Sequence, residues 1–151
     1  MLPVTNSLKI RSMDAAQIGA VCHLEAEVLK HEQADMPTHH VLHGGIYSRT
    51  ICMKADSVMV GALIKIPTTV TIAGDTTVYI GESSLRITGY EVFAAAAGRK
   101  QAFIAHADTY ITMSFKTNAQ TVEEAEQEFT DDYERLMSRQ GENIVVIGDL
   151  A

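Results

Sequence analysis

GIYSRTICMKADSVMVGALIKIPTTVTIAGDTTVYIGESSLRITGYEVFAAAAGRKQAFIAHADTYITMSF, residues 45–115, is a series of short β-branched and aromatic runs broken by turn residues at near-regular intervals. Ile46–Lys54 alternates: Tyr47, Arg49, Ile51 and Met53 fall on one face, and Ile46, Ser48, Thr50 and Cys52 on the other. That period of two marks a half-buried strand. Ala55-Asp56-Ser57 reads as a turn, and Val58–Ile66 as a β-branched strand closed by Pro67, which cannot donate to a ladder. Thr69–Ala73 and Thr76–Ile80 flank Gly74-Asp75, a two-residue hairpin signal. Gly81-Glu82-Ser83-Ser84 then turns the chain into Leu85–Thr88, and Gly89 turns it into Tyr90–Ala94. Lys100–Ala105 and Thr109–Phe115 complete the series. Seven or eight strands in this stretch, with turns about every 8–12 residues, predict a sandwich or small barrel.

Helical patterns flank this core. In residues 14–33, Ile18, Val21, Cys22, Glu25, Val28 and Leu29 share one face, with Ser12 or Asp14 available as N-cap. The stripe is narrow and interrupted by Glu25, which predicts a half-exposed helix resting on the barrel or on a second subunit. Pro37 disfavours helical geometry at Met36, and residues 37–45, Pro-Thr-His-His-Val-Leu-His-Gly-Gly, read as a loop. A second helix is predicted over 121–139, opening on a capping box from Thr121 to Glu124. Val122, Ala125, Phe129, Leu136 and Met137 form its buried stripe, with the carboxylates facing water. Early acids and late Arg135 and Arg139 suit the helix dipole. Residues 143–148 hold a β-branched run that predicts a short terminal strand on a sheet edge, of this chain or of a partner. The whole, 1–151, reads as a single domain with its β-barrel at 45–115.

Composition narrows the function classes. Forty-six per cent hydrophobic residues and a mean hydropathy of +0.04 are those of a globular protein. Twelve Lys+Arg against 19 Asp+Glu leave a net charge of −7, which argues against nonspecific nucleic-acid binding. Eight of the carboxylates (Glu123, Glu124, Glu126, Glu128, Asp131, Asp132, Glu134 and Glu142) fall between Thr121 and Glu142. The remainder is close to neutral, so a local anion site stays open. Cys22 and Cys52 lack metal-type spacing and read as reduced thiols. With no basic n-region and apolar h-region at the start and no run of ~18 apolar residues, the expectation is a cytoplasmic protein with neither nucleic acid nor membrane as partner.

This strand series between two helices, with Gly61, Gly89 and an Ala96-Ala97-Gly98 step, resembles the cupin superfamily of small β-barrels over roughly Gly45–Phe115. His-Val-Leu-His-Gly-Gly-Ile-Tyr-Ser-Arg-Thr at 40–50, followed by Val-Gly-Ala-Leu at 60–63, looks like small cupin-type proteins encoded by tailed phages and prophages. The resemblance implies a mainly β fold, a cupin-like jelly-roll barrel flanked by an N-terminal and a C-terminal helix. Metal-binding cupins carry a first motif of Gly, His-x-His, Glu and Gly, and a second with Pro-x-Gly followed by His. Ligands at i and i+2 on a strand point to one barrel face, which is why that spacing holds a metal. In this chain the first motif falls on Ile64-Lys65-Ile66-Pro67, and no histidine occurs between His43 and His106. The acid position falls near Thr69–Thr71, Ala96 replaces the second motif's proline, and its His slot falls at or near Gln101. An intact metal site of that type is excluded by composition, and no cofactor is expected.

The remaining candidates are polar residues on the strands and their turns. His39, His40 and His43 are clustered, but Pro37 before and Gly44-Gly45 after predict a loop in which they hydrogen-bond or meet solvent. Arg49 and Tyr47 share a face with Ile51 and Met53. Arg49 is then a buried cation needing an anionic partner from protein or ligand, or else an outward residue paired with Glu82 or Glu91. Arg99, Lys100 and Gln101 follow Gly98 and either meet a carboxylate or phosphate at the barrel mouth or stand solvated in a turn. His106 and Asp108 precede Tyr110 as an acid–base pair or as a turn capped by its own Asp. Lys65 is expected to turn outward, opposite Ile64 and Ile66. No nucleophile elbow, Walker loop, dinucleotide fingerprint or zinc framework is present.

The reading is a metal-free, homodimeric protein that binds or sequesters a small polar or anionic molecule through Tyr47, Arg49, Arg99, Gln101 and Tyr110. Two other classes stay open. One is a structural or assembly protein with a filled barrel. The other is a metal-independent isomerase or lyase using His106 or Tyr110.

Overall fold

The computed structural model describes residues 1–80 and 83–150. In chain order it comprises β1 (Lys9–Ile10), α1 (Ala15–Val28), β2 (Thr38–His43), β3 (Ile46–Met53), β4 (Val58–Val60), β5 (Thr68–Ile80), β6 (Ser83–Ala95), β7 (Ala102–Ala105), β8 (Thr109–Lys116), α2 (Val122–Phe129) and β9 (Asn143–Ile147). The main sheet runs β1-β6-β5-β8-β3-β2-β9, while β4 pairs β7 and β7 returns to β5. The alternation read in β3 holds: Tyr47, Arg49 and Met53 are buried, and Ile46 on the opposite face is exposed.

The predicted hairpin at Gly74-Asp75 is not there. β5 passes straight through it, and its register with β6 is unbroken from Thr68↔Ala95 to Ile80↔Ser83, with Gly74 opposite Gly89. Nor does Gly89 turn the chain; it lies inside β6. What Gly74 permits is a corner. Thr69–Ala73 pairs β8 whereas Thr76–Tyr79 pairs β7, so the strand changes its partner at the glycine. Its φ is +146°, and a Cβ there would lie 2.5 Å from Thr109 Oγ1 and 2.7 Å from the Asp108 carbonyl oxygen. Only glycine accommodates both the conformation and the approach. The change of partner along β5 makes the fold mainly β and jelly-roll-like, with the sheet left open at β1 and β9 rather than closed.

Other expectations shift in extent. The turn expected at Gly81–Ser84 has its first two residues outside the described residues, and Ser83 and Ser84 already pair with Ile80 and Tyr79. Val58–Ile66 holds its ladder only to Val60, after which Ile64 makes a single bridge with Arg99. Residues 37–45 are not a loop. Thr38, His40 and Leu42 point inward and His39, Val41 and His43 outward, the alternation of a strand. Gly44 (φ 60°) and Gly45 (φ 76°) then turn it back into β3. Both turn residues are left-handed, as a type I′ hairpin requires.

The helices are shorter than their patterns. α1 starts on an Asp14 capping box with Gln17 and stops at Val28, five residues before the expected 33, with the Gln33 side chain donating to the Val28 and His31 carbonyls. Only Val21 of its stripe is fully buried, packed with Met13 and Ala102, so the helix rests half-exposed on the sheet. α2 ends at Phe129 because Thr130 is extended (φ −149°); two 3-10 turns, Tyr133–Arg135 and Met137–Arg139, cover the rest of the predicted helix. Thr121 accepts from the Glu124 N–H as a cap should, while the Glu124 carboxylate accepts from Gln120. Val122, Ala125, Phe129 and Leu136 are buried as expected. β9 adds in parallel to β2 of its own chain. None of the described helices is long and apolar enough to cross a membrane.

Candidate functional site

The inner faces of the strands enclose a cavity of about 950 Å³, at the upper end of the ~300–1,000 Å³ common to small-molecule sites. Its walls are mostly apolar, with Ile51, Val70, Phe103, Ile111, Met113 and Phe129 contributing. Its buried polar groups come from β3 and from the segment that leads into β7, while Glu25, Asp35, Asp132, Glu134, Arg135 and Glu142 border it from less buried positions.

On β3, Arg49 is 4% exposed and lines the cavity, and protein answers its charge. Its Nη1 donates to Glu126 Oε2 at 2.9 Å, and its guanidinium carbon lies 5.6 Å from the Phe129 ring centre. Glu126 is 2% exposed; the same oxygen accepts from Ser138 Oγ at 2.6 Å, and its Oε1 pairs with Arg139 at 2.9 Å. The expectation that every carboxylate of the second helix faces water therefore fails at Glu126. The reason is visible in the spacing: Val122, Glu126 and Phe129 fall at i, i+4 and i+7, one helix face. Neither Glu91 nor solvent is the partner of Arg49, and Glu82 lies outside the described residues.

Before β7, Arg99, Lys100, Gln101 and Phe103 line the cavity, with Lys100 reaching toward α1, while Ala102 packs against Met13 and Val21. Lys100 Nζ donates to Glu25 Oε2 at 3.0 Å and to the Gly61 carbonyl at 2.9 Å. Arg99 is different. It is 2% exposed, and its donors reach only neutral acceptors: the Ala96 carbonyl at 2.8 Å, Thr68 Oγ1 at 2.6 Å and Met113 Sδ at 3.8 Å. Burial pulls its pKa down to about 10. Beside it, Gln101 Nε2 is buried with no hydrogen-bond partner, the one such side-chain atom among the described residues. Two residues apart on extended chain, the pair stand ~7 Å apart.

Tyr47, expected as a ligand contact, is fully buried outside the cavity lining. Its hydroxyl lies 2.7 Å from His40 Nδ1, and His40 Nε2 lies 2.6 Å from Asn143 Oδ1. The Asn143 amide nitrogen donates to the Ser138 and Gly141 carbonyls, so its oxygen is the acceptor facing His40. The neutral imidazole therefore carries its proton on Nε2 and accepts from Tyr47. This relay ties β3, β2 and β9 together, and burial pushes the Tyr47 phenol up to about 12.

The His40 imidazole is held below its usual pKa chiefly by burial, against the opposing Asn143 hydrogen bond and with the Arg49 charge adding to the lowering. A base with a depressed folded pKa leaves the unfolded chain binding more protons just below ~6.5, so stability falls as pH drops through that window. Urea titrations at stepped pH are expected to show this decline in the wild type. A shallower decline is expected in His40→Gln, and an equal slope in both would remove His40 as its source.

Tyr110 sits on the outward face of β8, 52% exposed and away from the cavity. In β8 the inward positions are Thr109, Ile111, Met113 and Phe115, so parity places Tyr110 outside. His106 and Asp108 do not pair: His106 Nε2 lies 2.7 Å from Thr77 Oγ1, and Asp108 accepts from the Ala55 N–H and meets Lys54. Lys65 does turn outward, to Asp131 at 2.7 Å. Of the five expected contacts the fold thus gathers Arg49, Arg99 and Gln101 around one cavity. Among the described residues no three His, Cys, Asp or Glu side chains are grouped so as to hold a metal ion. Arg, Lys and Gln donors suit an anion instead.

No protein-family model matches the chain, and no curated protein does. Among solved structures, ectoine synthase from P. lautus is similar at a TM-score of 0.46 and 13% identity, over 66% of this chain and 76% of that one. A cupin-2 domain containing protein from Shewanella frigidimarina is similar at 0.44 and 6% identity, over 62% and 91%. A conserved protein of unknown function from Streptococcus pyogenes is similar at 0.44 and 15% identity, over 58% and 79%.

Proposed function

We propose that this chain is a binding protein whose interior cavity holds a small polar or anionic molecule. The observation that carries this reading is Arg99, a buried cation on the cavity wall with only neutral protein acceptors. Burying a cation without a counter-ion is costly, and an incoming anion relieves that cost. The cavity volume of about 950 Å³ favours this reading over a barrel filled by its own side chains. His106 and Tyr110 are both exposed and outside the lining, so neither supports an isomerase or lyase in the barrel. Sequestration of a host metabolite or a signalling nucleotide is the use that the resemblance to phage-encoded proteins implies.

A thermal-melting screen across small carboxylates, phosphates, sugars and nucleotides tests the reading. A ligand at ~100 times its Kd adds about 2.7 kcal/mol, which for a chain of this size raises Tm by roughly 5–10 °C. At least one anionic member is expected to produce such a shift. A flat response across the anions would sink it.

The expected homodimer has one favoured surface, the free edge of β9. Ile144, Val145, Val146 and Ile147 are each about half exposed there, with no Lys, Pro or bulge to guard the strand. A strand edge of this kind pairs with its own copy across a two-fold axis. Light scattering is expected to give twice the 16.5 kDa chain mass for the wild type and a monomer for Val145→Lys. A wild-type monomer would remove the dimer.

A further inference from the structure

The charges around the cavity say more about the ligand than that it is an anion. Four cations border the cavity, and a carboxylate faces three of them: Glu126 pairs with Arg49, and Glu25 with both Lys100 and Arg135. Arg99 contributes a single uncompensated positive charge. Its three hydrogen bonds use both Nη2 hydrogens and one on Nη1. Two of the five guanidinium N–H groups, one on Nε and one on Nη1, are therefore left over. Gln101 Nε2 adds the unpaired amide donors next to it.

The far side of the cavity has the opposite sign. Asp35, Asp132, Glu134 and Glu142 border it together with Arg135. Arg135 leans 3.6 Å toward Glu25, so these four carboxylates leave the opening acidic. A phosphate dianion or a nucleotide would bring more negative charge than Arg99 offsets, past an opening that repels it. The rest of the lining is mostly aliphatic and aromatic, a surface that rewards an apolar body and leaves a sugar's hydroxyls unpaired.

We propose that the cavity takes a monocarboxylate with an apolar body, its carboxylate held by Arg99 and Gln101 and its hydrocarbon portion lying against Phe103, Ile111 and Met113. The proposal rests on the binding reading above and narrows it. Arg matches a planar carboxylate with directed N–H donors, and Gln101 supplies a neutral donor to the same group. The ligand brings one charge, and the buried Arg99 charge meets it. A second acidic group on the ligand would be stranded among apolar side chains or set against the acidic opening.

Titration calorimetry with octanoate and 3-phenylpropanoate, each alongside its primary amide, and with octyl phosphate and octanedioate, tests the class. At least one monocarboxylate is expected to bind, its amide at least 100-fold more weakly, and the phosphate and dicarboxylate at least tenfold more weakly. Arg99→Met is expected to abolish the carboxylate binding, and Gln101→Leu to weaken it about tenfold. Tighter binding of octyl phosphate, lost in Arg99→Met, would overturn the monocarboxylate and leave the anion site standing. Binding of a carboxylate equally by wild type and Arg99→Met overturns the site as drawn. Silence from both monocarboxylates overturns this proposal, and silence across the wider anion screen overturns the binding reading as well.

Discussion

Glu126→Gln is expected to lower the free energy of unfolding by about 3–5 kcal/mol, the usual cost of leaving one member of a buried ion pair uncompensated. The substitution keeps the size and one hydrogen-bonding oxygen, so the loss reports charge and not a cavity. Glu126 answers Arg49 and Arg139 and accepts from Ser138, while itself 2% exposed. Without its charge, Arg49 keeps only Ser138 Oγ at 3.3 Å, the amide oxygen and the face of Phe129. Urea unfolding should show a lower midpoint at an unchanged slope. The pair Glu126→Leu with Arg49→Met should recover most of the loss, because apolar replacement of both partners removes the desolvation cost along with the attraction. A wild-type midpoint in Glu126→Gln would mean that Arg49 is not held in place by this carboxylate.

Arg99→Met is expected to do the reverse: to stabilise the ligand-free protein by about 1–2 kcal/mol while ending ligand binding. The sign follows from the pKa. Arg99 is pulled below the usual guanidinium range, to about 10, by burial, so its charged form is disfavoured in the fold by roughly 3 kcal/mol at ~1.4 kcal/mol per unit. That penalty is fully present below about pH 10. It fades as pH rises toward the unfolded value, where the unfolded chain binds more protons than the folded one. Against it stand the hydrogen bonds to Ala96 and Thr68, worth about 1–2 kcal/mol together. Methionine is unbranched and adaptable and meets Met113 where the guanidinium did. A Tm a few degrees above wild type, with no shift from any ligand that shifts wild type, is the expected pairing. A variant less stable than wild type would show that Arg99 is a structural anchor, and the anion site would lose its physical basis.

Both residues were visible in the chain before the fold was, but unequally. Alternation in Ile46–Lys54 put Arg49 on one face with Tyr47, Ile51 and Met53 but left open whether that face is inward; its need for an anionic partner followed only if it is. Its partner Glu126 was legible too, at the i+4 position between Val122 and Phe129, but the run of eight acids around it made the whole face look solvated. His40 was hidden by the histidine cluster, although Gly44-Gly45 beside an alternating Thr-x-His-x-Leu is a hairpin pattern. Gly74-Asp75 misled in the other direction. A glycine inside a β-branched run signals either a turn or a close backbone approach, and the approaching residue, Thr109, is 35 positions away.

The local periodicities alone determined that this is a mainly β chain between two helices, while the resemblance to cupins implied that the histidines and acids of a barrel metal site are missing from their slots. Those properties depend on neighbours two to seven residues apart, and the chain carries them unaided. Which cation is neutralised and which is left bare was decided only in three dimensions. Arg49 and Glu126 are separated by 77 residues and Lys100 and Glu25 by 75, and the bent strands bring each pair within hydrogen-bonding distance. Among the described residues no carboxylate reaches Arg99, because charge pairing across the core follows from the sheet topology and leaves no trace in sequence spacing.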